Sequence, residues 1–157
     1  MEEKKLDEAQ KYVQQALAIA VEIENQMFMF YRLAELGNIS YLQNNIEKCR
    51  QNFQQSFSIA KNLTDPQKTS SLRSFLNVLY KREPKTTVII LGSIANFRKV
   101  SGVLGTPLHK RSFDLVEAYR RDTLGDATFE STFAKGQKLS LDDALNLALQ
   151  SVELIIH

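Results

Sequence analysis

The sequence predicts an all-α fold made of repeated helix pairs, and three observations predict it. Residues 6–20 and 46–60 read as the same helix written twice. Apolar residues recur every three or four positions along most of the chain, the spacing of helices with one buried face. The 157 residues contain only 6 Gly and 3 Pro, too few for the many tight turns of a sandwich or barrel. This length suits one domain with a real core. A hydrophobic content of 43% and a charged content of 24% are ordinary for a globular chain.

The first helix is expected over residues 6–25. Leu6, Ala9, Val13, Ala16, Leu17 and Ala20 share its apolar face, and Asp7 and Glu8 suit the positive end of its dipole. The second, over 27–44, carries Phe30, Leu33, Leu36, Ile39 and Tyr41, and Asn44-Asn45 ends it. The third spans 46–63. Asp65-Pro66 then predicts a turn over 64–68, because the residue before proline disfavours helix. A fourth helix is expected over 69–81 and, after the turn holding Pro84, a fifth over 87–103. The run Thr86 to Gly92 is strand-like in its β-branched content. The repeat register overrides that reading and predicts helix. Residues 102–107 form the strongest break, which divides the chain into repeats (1–104) and a C-terminal helical cap (105–157). Three shorter helices follow, near 108–123, 127–135 and 140–155. Gly125 and Gly136 suit helix ends, and Ser140 suits an N-cap with Asp142 and Asp143 in the first turn.

A shift of 40 residues carries the repeat. Leu6 meets Ile46, Ala9 meets Cys49, Val13 meets Phe53 and Leu17 meets Phe57. Gln14, Gln15, Ile19 and Ala20 meet identical residues. A further shift lands on Ile89, Ser93, Asn96, Phe97 and Val100, and Leu36 and Ile39 meet Leu76 and Leu79. Such a period marks stacked helix pairs, each burying its apolar face on its neighbour.

These residues resemble the tetratricopeptide repeat (TPR). Leu36-Gly37 stands where that motif has Leu-Gly at the tight crossing of its two helices, and Cys49, Phe53 and Ser56 stand where helix B has small, large and small residues. The 40-residue unit is similar to the longer TPR variant of kinesin light chains and large bacterial regulators. Ser40 replaces the usual aromatic, and Asn77 replaces the glycine of the next unit. Leu91-Gly92, Gly105 to Leu108, Leu124-Gly125 to Phe129 and Leu139 to Leu149 resemble the C-terminal end of large bacterial multidomain ATPase and transcriptional regulators. The resemblance implies a right-handed α-α superhelix of about two and a half units with a small helical cap. It also implies that the chain starts at a helix B, as a fragment or a short gene product. The helix Ala16 to Val21 is apolar on more than one face, which predicts self-association or a partner there.

The TPR likeness implies a concave binding face. It would hold Tyr31, Ala34, Glu35, Asn38, Tyr41 and Leu42, then Ser71, Ser74, Phe75, Val78, Lys81 and Arg82. Aromatics flanked by polar groups suit peptide recognition. The competing reading packs Tyr31, Tyr41 and Phe75 between helices. Ala34 stands where a chaperone-binding carboxylate clamp has lysine.

Catalytic, cofactor and metal motifs are not found: there is no phosphate loop and no Cys/His cluster. His109 reads as a surface or capping residue and His157 as a terminal one. Cys49, the single cysteine, reads as a buried thiol and fits a reducing compartment. Glu22 and Glu24 point to different faces, so they form no paired-acid site. Residues 1–65 carry 7 Lys/Arg and 9 Asp/Glu, a balance of −2, and the rest 13 and 9, a balance of +4. The basic doublets such as Lys81-Arg82, Arg98-Lys99 and Arg120-Arg121 read as solvated helix faces rather than a nucleic-acid footprint. The polar start and the absence of a long apolar run predict a cytoplasmic, non-membrane protein. The expected function is non-enzymatic: a protein-interaction or regulatory module with a protein or peptide partner, and self-association through the N-terminal helix. The alternative is a small-ligand or peptide sensor with its site between repeats and cap.

Overall fold

A computed structural model describes residues 2–102 and 107–154. Eight helices and no strand occur among them: α1 Glu2–Glu22, α2 Gln26–Leu42, α3 Ile46–Ala60, α4 Asp65–Leu79, α5 Pro84–Ser101, α6 Pro107–Leu124, α7 Asp126–Gln137 and α8 Leu141–Leu154. None is long and apolar enough to cross a membrane. The division expected at 104/105 and the residue His157 lie outside the described residues, as does the side chain of His109.

The first two turns use one device. Glu24 (φ 53°) and Asn44 (φ 59°) take the left-handed conformation just past α1 and α2. The next residues close those helices: the Asn25 and Asn45 amides donate to the Ala20 and Ser40 carbonyls at 2.9 and 2.8 Å. The same two asparagines then cap the following helices, accepting from the Phe28 amide (3.0 Å) and the Lys48 amide (3.2 Å). One residue thus satisfies the end of one helix and the start of the next.

α4 and α5 begin earlier than the prolines suggest. Pro66 and Pro84 occupy the first turn of each helix. There the missing N–H costs nothing and the fixed φ is already helical. A capping box between Thr64 and Gln67 completes the start of α4. Residues 86–92 are helical as the repeat predicts, with Val88, Ile90 and Leu91 fully buried. Burial against helices on several sides outweighs their β-branched propensity.

The α2–α3 pair is the most extensive in the molecule, and α5–α7 follows it. Gly37 lies flat against the Phe53 ring at the α2–α3 crossing, and Ser56 Oγ donates to the Phe30 carbonyl at 3.0 Å. α4 meets α5 only lightly. Instead α8 packs against α3, α4 and α5. Ala144, Leu145, Ala148 and Val152 of α8 therefore share one apolar core with Phe53, Phe57 and Phe75. Lys68 of α4, 8% exposed, is clipped to Asp142 of α8 at 2.8 Å and to Asp65 at 3.5 Å. Asp142 thus does more than complement the α8 dipole, while Ser140 caps that helix by accepting from the Asp143 amide at 3.1 Å.

The glycines divide in role. Gly125, with φ 79°, follows the end of α6 as expected. Gly136 is not a helix terminator: it lies inside α7, buried against α5, and faces Gly92.

Candidate functional site

An open cavity of about 450 Å³ lies between the C-terminal halves of α2 and α4, lined by Asn38, Tyr41, Leu42, Asn77, Tyr80 and Lys81. The Leu36-Gly37 crossing and the α2–α4 packing place it. Asn38 and Tyr41 project from α2, Asn77 projects from the last turn of α4, and Lys81 follows in the turn just past that helix.

Of the expected binding residues, Asn38, Tyr41, Leu42 and Lys81 come together here. Arg82 joins them, its guanidinium 5.5 Å from the Tyr41 ring centre. The others do not line the cavity. Phe75 is 0% exposed and packs edge-on against Phe53 (5.0 Å) and Phe57 (5.1 Å), so it is a core residue, not a contact for a partner. Ser71 is buried at 1%. Phe75 points inward onto the α3 rings, within a core to which α8 also contributes. Ala34 and Val78 are buried as well. Tyr31 is half-buried against Phe30, with ring centres 4.2 Å apart. Glu35 is paired with Arg32 at 3.1 Å, and burial raises its pKa against the pull of that arginine.

Sequence reasoning missed Tyr80 and the lining role of Asn77. Asn77 lies four residues before Lys81, a spacing that could have found it. Tyr80 depends on tertiary contact: its ring stands edge-on to Tyr119 of α6 at 5.3 Å. No pattern in the sequence links those two helices.

Among the described residues, eight of the cations are held by acids or by rings, and Arg121 by both, its guanidinium also 4.2 Å from the Phe129 ring centre. Arg32, Arg50, Lys68 and Arg121 sit in ion pairs, Arg121 with Glu117, Asp126 and Glu130. Lys81, Arg82, Arg98 and Arg120 instead stand over Tyr80, Tyr41, Phe113 and Tyr119 at 4.3–5.5 Å. No ion pair holds any of these four among the described residues. Arg120 is 2% exposed, its Nε has no hydrogen-bond partner, and burial lowers its pKa. Arg73, two turns before Lys81, has its pKa lowered first by burial and then by nearby Arg98. The groove is thus aromatic and positive, with no carboxylate in its lining. A cation held over a ring keeps its N–H groups available to an anion.

Cys49 is fully buried on α3, and burial pushes its thiol up to about 11, opposed by the charge of Arg82. A thiol in that state is a poor nucleophile at neutral pH. Iodoacetamide at pH 8 is expected to leave the native chain unmodified and to alkylate it fully in urea, as read by mass spectrometry. Rapid alkylation of the native protein would contradict this burial. The sign for stability follows from linkage. Below the usual value of 9.0 both states keep the proton, and above it the unfolded state ionises first, so stability falls as pH rises from 9.0 towards about 11.

Two smaller cavities are present. One of about 280 Å³ lies between α5 and the start of α8, lined by residues including Ser93, Phe97 and Leu141. Another of about 290 Å³ lies against the exposed side of α1. Among the described residues no three His, Cys, Asp or Glu side chains gather to hold a metal ion. Compared with known protein families, curated proteins and solved structures, the chain matches none.

Proposed function

We propose that this chain is a non-enzymatic, TPR-like interaction module of the cytoplasm that takes an acidic peptide segment of a partner protein into the α2–α4 groove. The observation that carries the reading is the set of cations over tyrosine rings, unpaired with any acid, around a cavity that Tyr41 and Tyr80 line. Asn38 and Asn77 offer donors and acceptors suited to a peptide backbone, and the rings offer apolar contact. The Leu36-Gly37 crossing, the close α2–α3 pair and the 40-residue period support the TPR-like part of this reading, which rests on that one pair because α4 and α5 meet only lightly. Regulation by partner capture fits this reading better than catalysis, since the thiol is buried and no acid-base pair lines the groove.

Fluorescence anisotropy with labelled peptides tests it. Acidic segments bearing an aromatic or leucine are expected to bind more tightly than neutral or basic scrambles, and more weakly as salt rises. Lys81→Glu is expected to lower affinity at least about tenfold, with the circular dichroism spectrum unchanged because Lys81 is exposed. Equal binding of acidic and basic peptides, or indifference to Lys81→Glu, would overturn the reading. Preferential retention of an oligonucleotide over the acidic peptides would count for a nucleic-acid partner instead.

The cavity between α5 and α8 favours a second reading, a small-ligand sensor between repeats and cap. A thermal-shift screen checks it: a stabilising ligand whose effect disappears in Phe97→Ala supports it.

A further inference from the structure

The outer side of α1 is apolar and uncovered. Tyr12 (69% exposed) and Ile19 (58%) of α1, and Ile23 (58%) just past its end with its amide still bonded to the Ile19 carbonyl, lie within about 40° of one another at the helical 100° per residue. Ala16 lies beside them, and Phe28 (47%) stands at the far end of the stripe. The side facing α2, by contrast, buries Ala20. An apolar stripe of this kind on a charged helix marks a contact surface.

The repeat says what shape of occupant the stripe receives. Forty residues on, the matching positions are Asn52, Ser56 and Ile59 of α3 and Leu63 just past its end. That face of α3 seats a helix. Asn52 Nδ2 donates to Ser40 Oγ at 3.4 Å and Ser56 Oγ donates to the Phe30 carbonyl at 3.0 Å, both partners lying on the antiparallel α2. α1 presents the same face, with Ala16 at the close-approach position, and among the described residues no hydrogen bond joins the Tyr12 side chain to another element.

We propose that the occupant is a second copy of this chain, the two α1 helices packing antiparallel about a two-fold axis. The stripe is complementary to itself. With the axis between Leu17 and Ala18, Tyr12 meets Ile23 of the other copy at each end of the contact, and Ile19 fills the space beside the small Ala16 near its centre. Charge fits the same pairing. Lys11 and Glu22 are exposed, and neither is in an ion pair among the described residues. They lie on one edge of the stripe, on either side of its midpoint, so the antiparallel copy sets each Lys11 beside the other copy's Glu22. A two-fold contact uses each such pair twice. This inference is independent of the groove, which lies between other helices, and stands whether or not that groove takes a peptide.

Sedimentation equilibrium on the whole chain tests it. A dimer is expected at tens of micromolar protein. Ile19→Glu is expected to weaken it at least about tenfold by placing a charge in the contact centre, with helix content unchanged because Ile19 faces solvent in the single chain. Lys11→Glu and Glu22→Lys are each expected to weaken it roughly threefold, the range of an exposed ion pair used twice. The double charge swap is expected to restore the original affinity. A monomer at every concentration, or a dimer that Ile19→Glu leaves intact, overturns the proposal. A dimer that the double swap fails to restore overturns the antiparallel register.

Discussion

Replacing Gly136 by alanine is expected to destabilise the protein by about 3 kcal/mol and to loosen α7 from α5. A Cβ at this position would collide with the Ile89 carbonyl oxygen and lie 2.8 Å from the carbonyl carbon and 2.9 Å from Cα of the same residue. All three are backbone atoms of a buried helix, so no rotamer change relieves the overlap. The opposite side of the crossing is equally tight. A Cβ on Gly92 would overlap the Phe133 carbonyl oxygen and lie 2.9 Å from the Gln137 nitrogen. The two helices therefore meet backbone to backbone. Helix propensity pulls the other way, because alanine inside a helix is favoured over glycine by about 1 kcal/mol. The sign of the result thus separates the two effects. Urea unfolding should show a lower midpoint for Gly136→Ala and for Gly92→Ala. A raised midpoint for either would mean that propensity wins and that the helices do not cross there.

Gly37 is the milder case of the same close approach. Its added Cβ would meet the Phe53 ring at 2.6 Å, a side chain rather than backbone. That ring is itself fully buried between Phe57 and Phe75, so Gly37→Ala should be destabilising but less so than Gly136→Ala.

The helices themselves were legible because their signals are local. Apolar spacing gave all eight, and the 40-residue register placed helix over Thr86 to Gly92 against its β-branched content. The N-terminal boundaries of α4 and α5 were not, because Pro66 and Pro84 read as breakers when they are first-turn residues. The larger omission was non-local. Nothing in the spacing of α8 says that it wedges against α3, α4 and α5, yet that packing completes the core in which Phe75 is buried. It also leaves α4 and α5 in light contact, where a continued repeat would pair them closely. The groove was half legible for the same reason. Asn38, Tyr41, Leu42 and Lys81 follow from the helix face, whereas Tyr80 needs Tyr119 from a helix the repeat does not include.

Phe75→Ala should cost about 3–5 kcal/mol, as expected for a fully buried aromatic removed from a packed core. Its ring is 0% exposed and makes edge contacts with both Phe53 and Phe57, each of which is also sealed. A domain of this size has about 5–15 kcal/mol in total, so the variant should be partly unfolded at modest denaturant concentration. Tyr41→Ala separates core from groove. Tyr41 is half-buried, lines the α2–α4 cavity and lies under Arg82, so its loss should cost only about 1 kcal/mol of stability. It should instead remove the ring that holds Arg82 in place and lower acidic-peptide affinity by about tenfold. Paired urea and anisotropy measurements on the two variants decide the matter. If Tyr41→Ala unfolds the chain as readily as Phe75→Ala, then Tyr41 is a packing residue and the groove loses its floor. If Phe75→Ala retains full stability, the aromatic cluster of α3 and α4 is not the centre of the core.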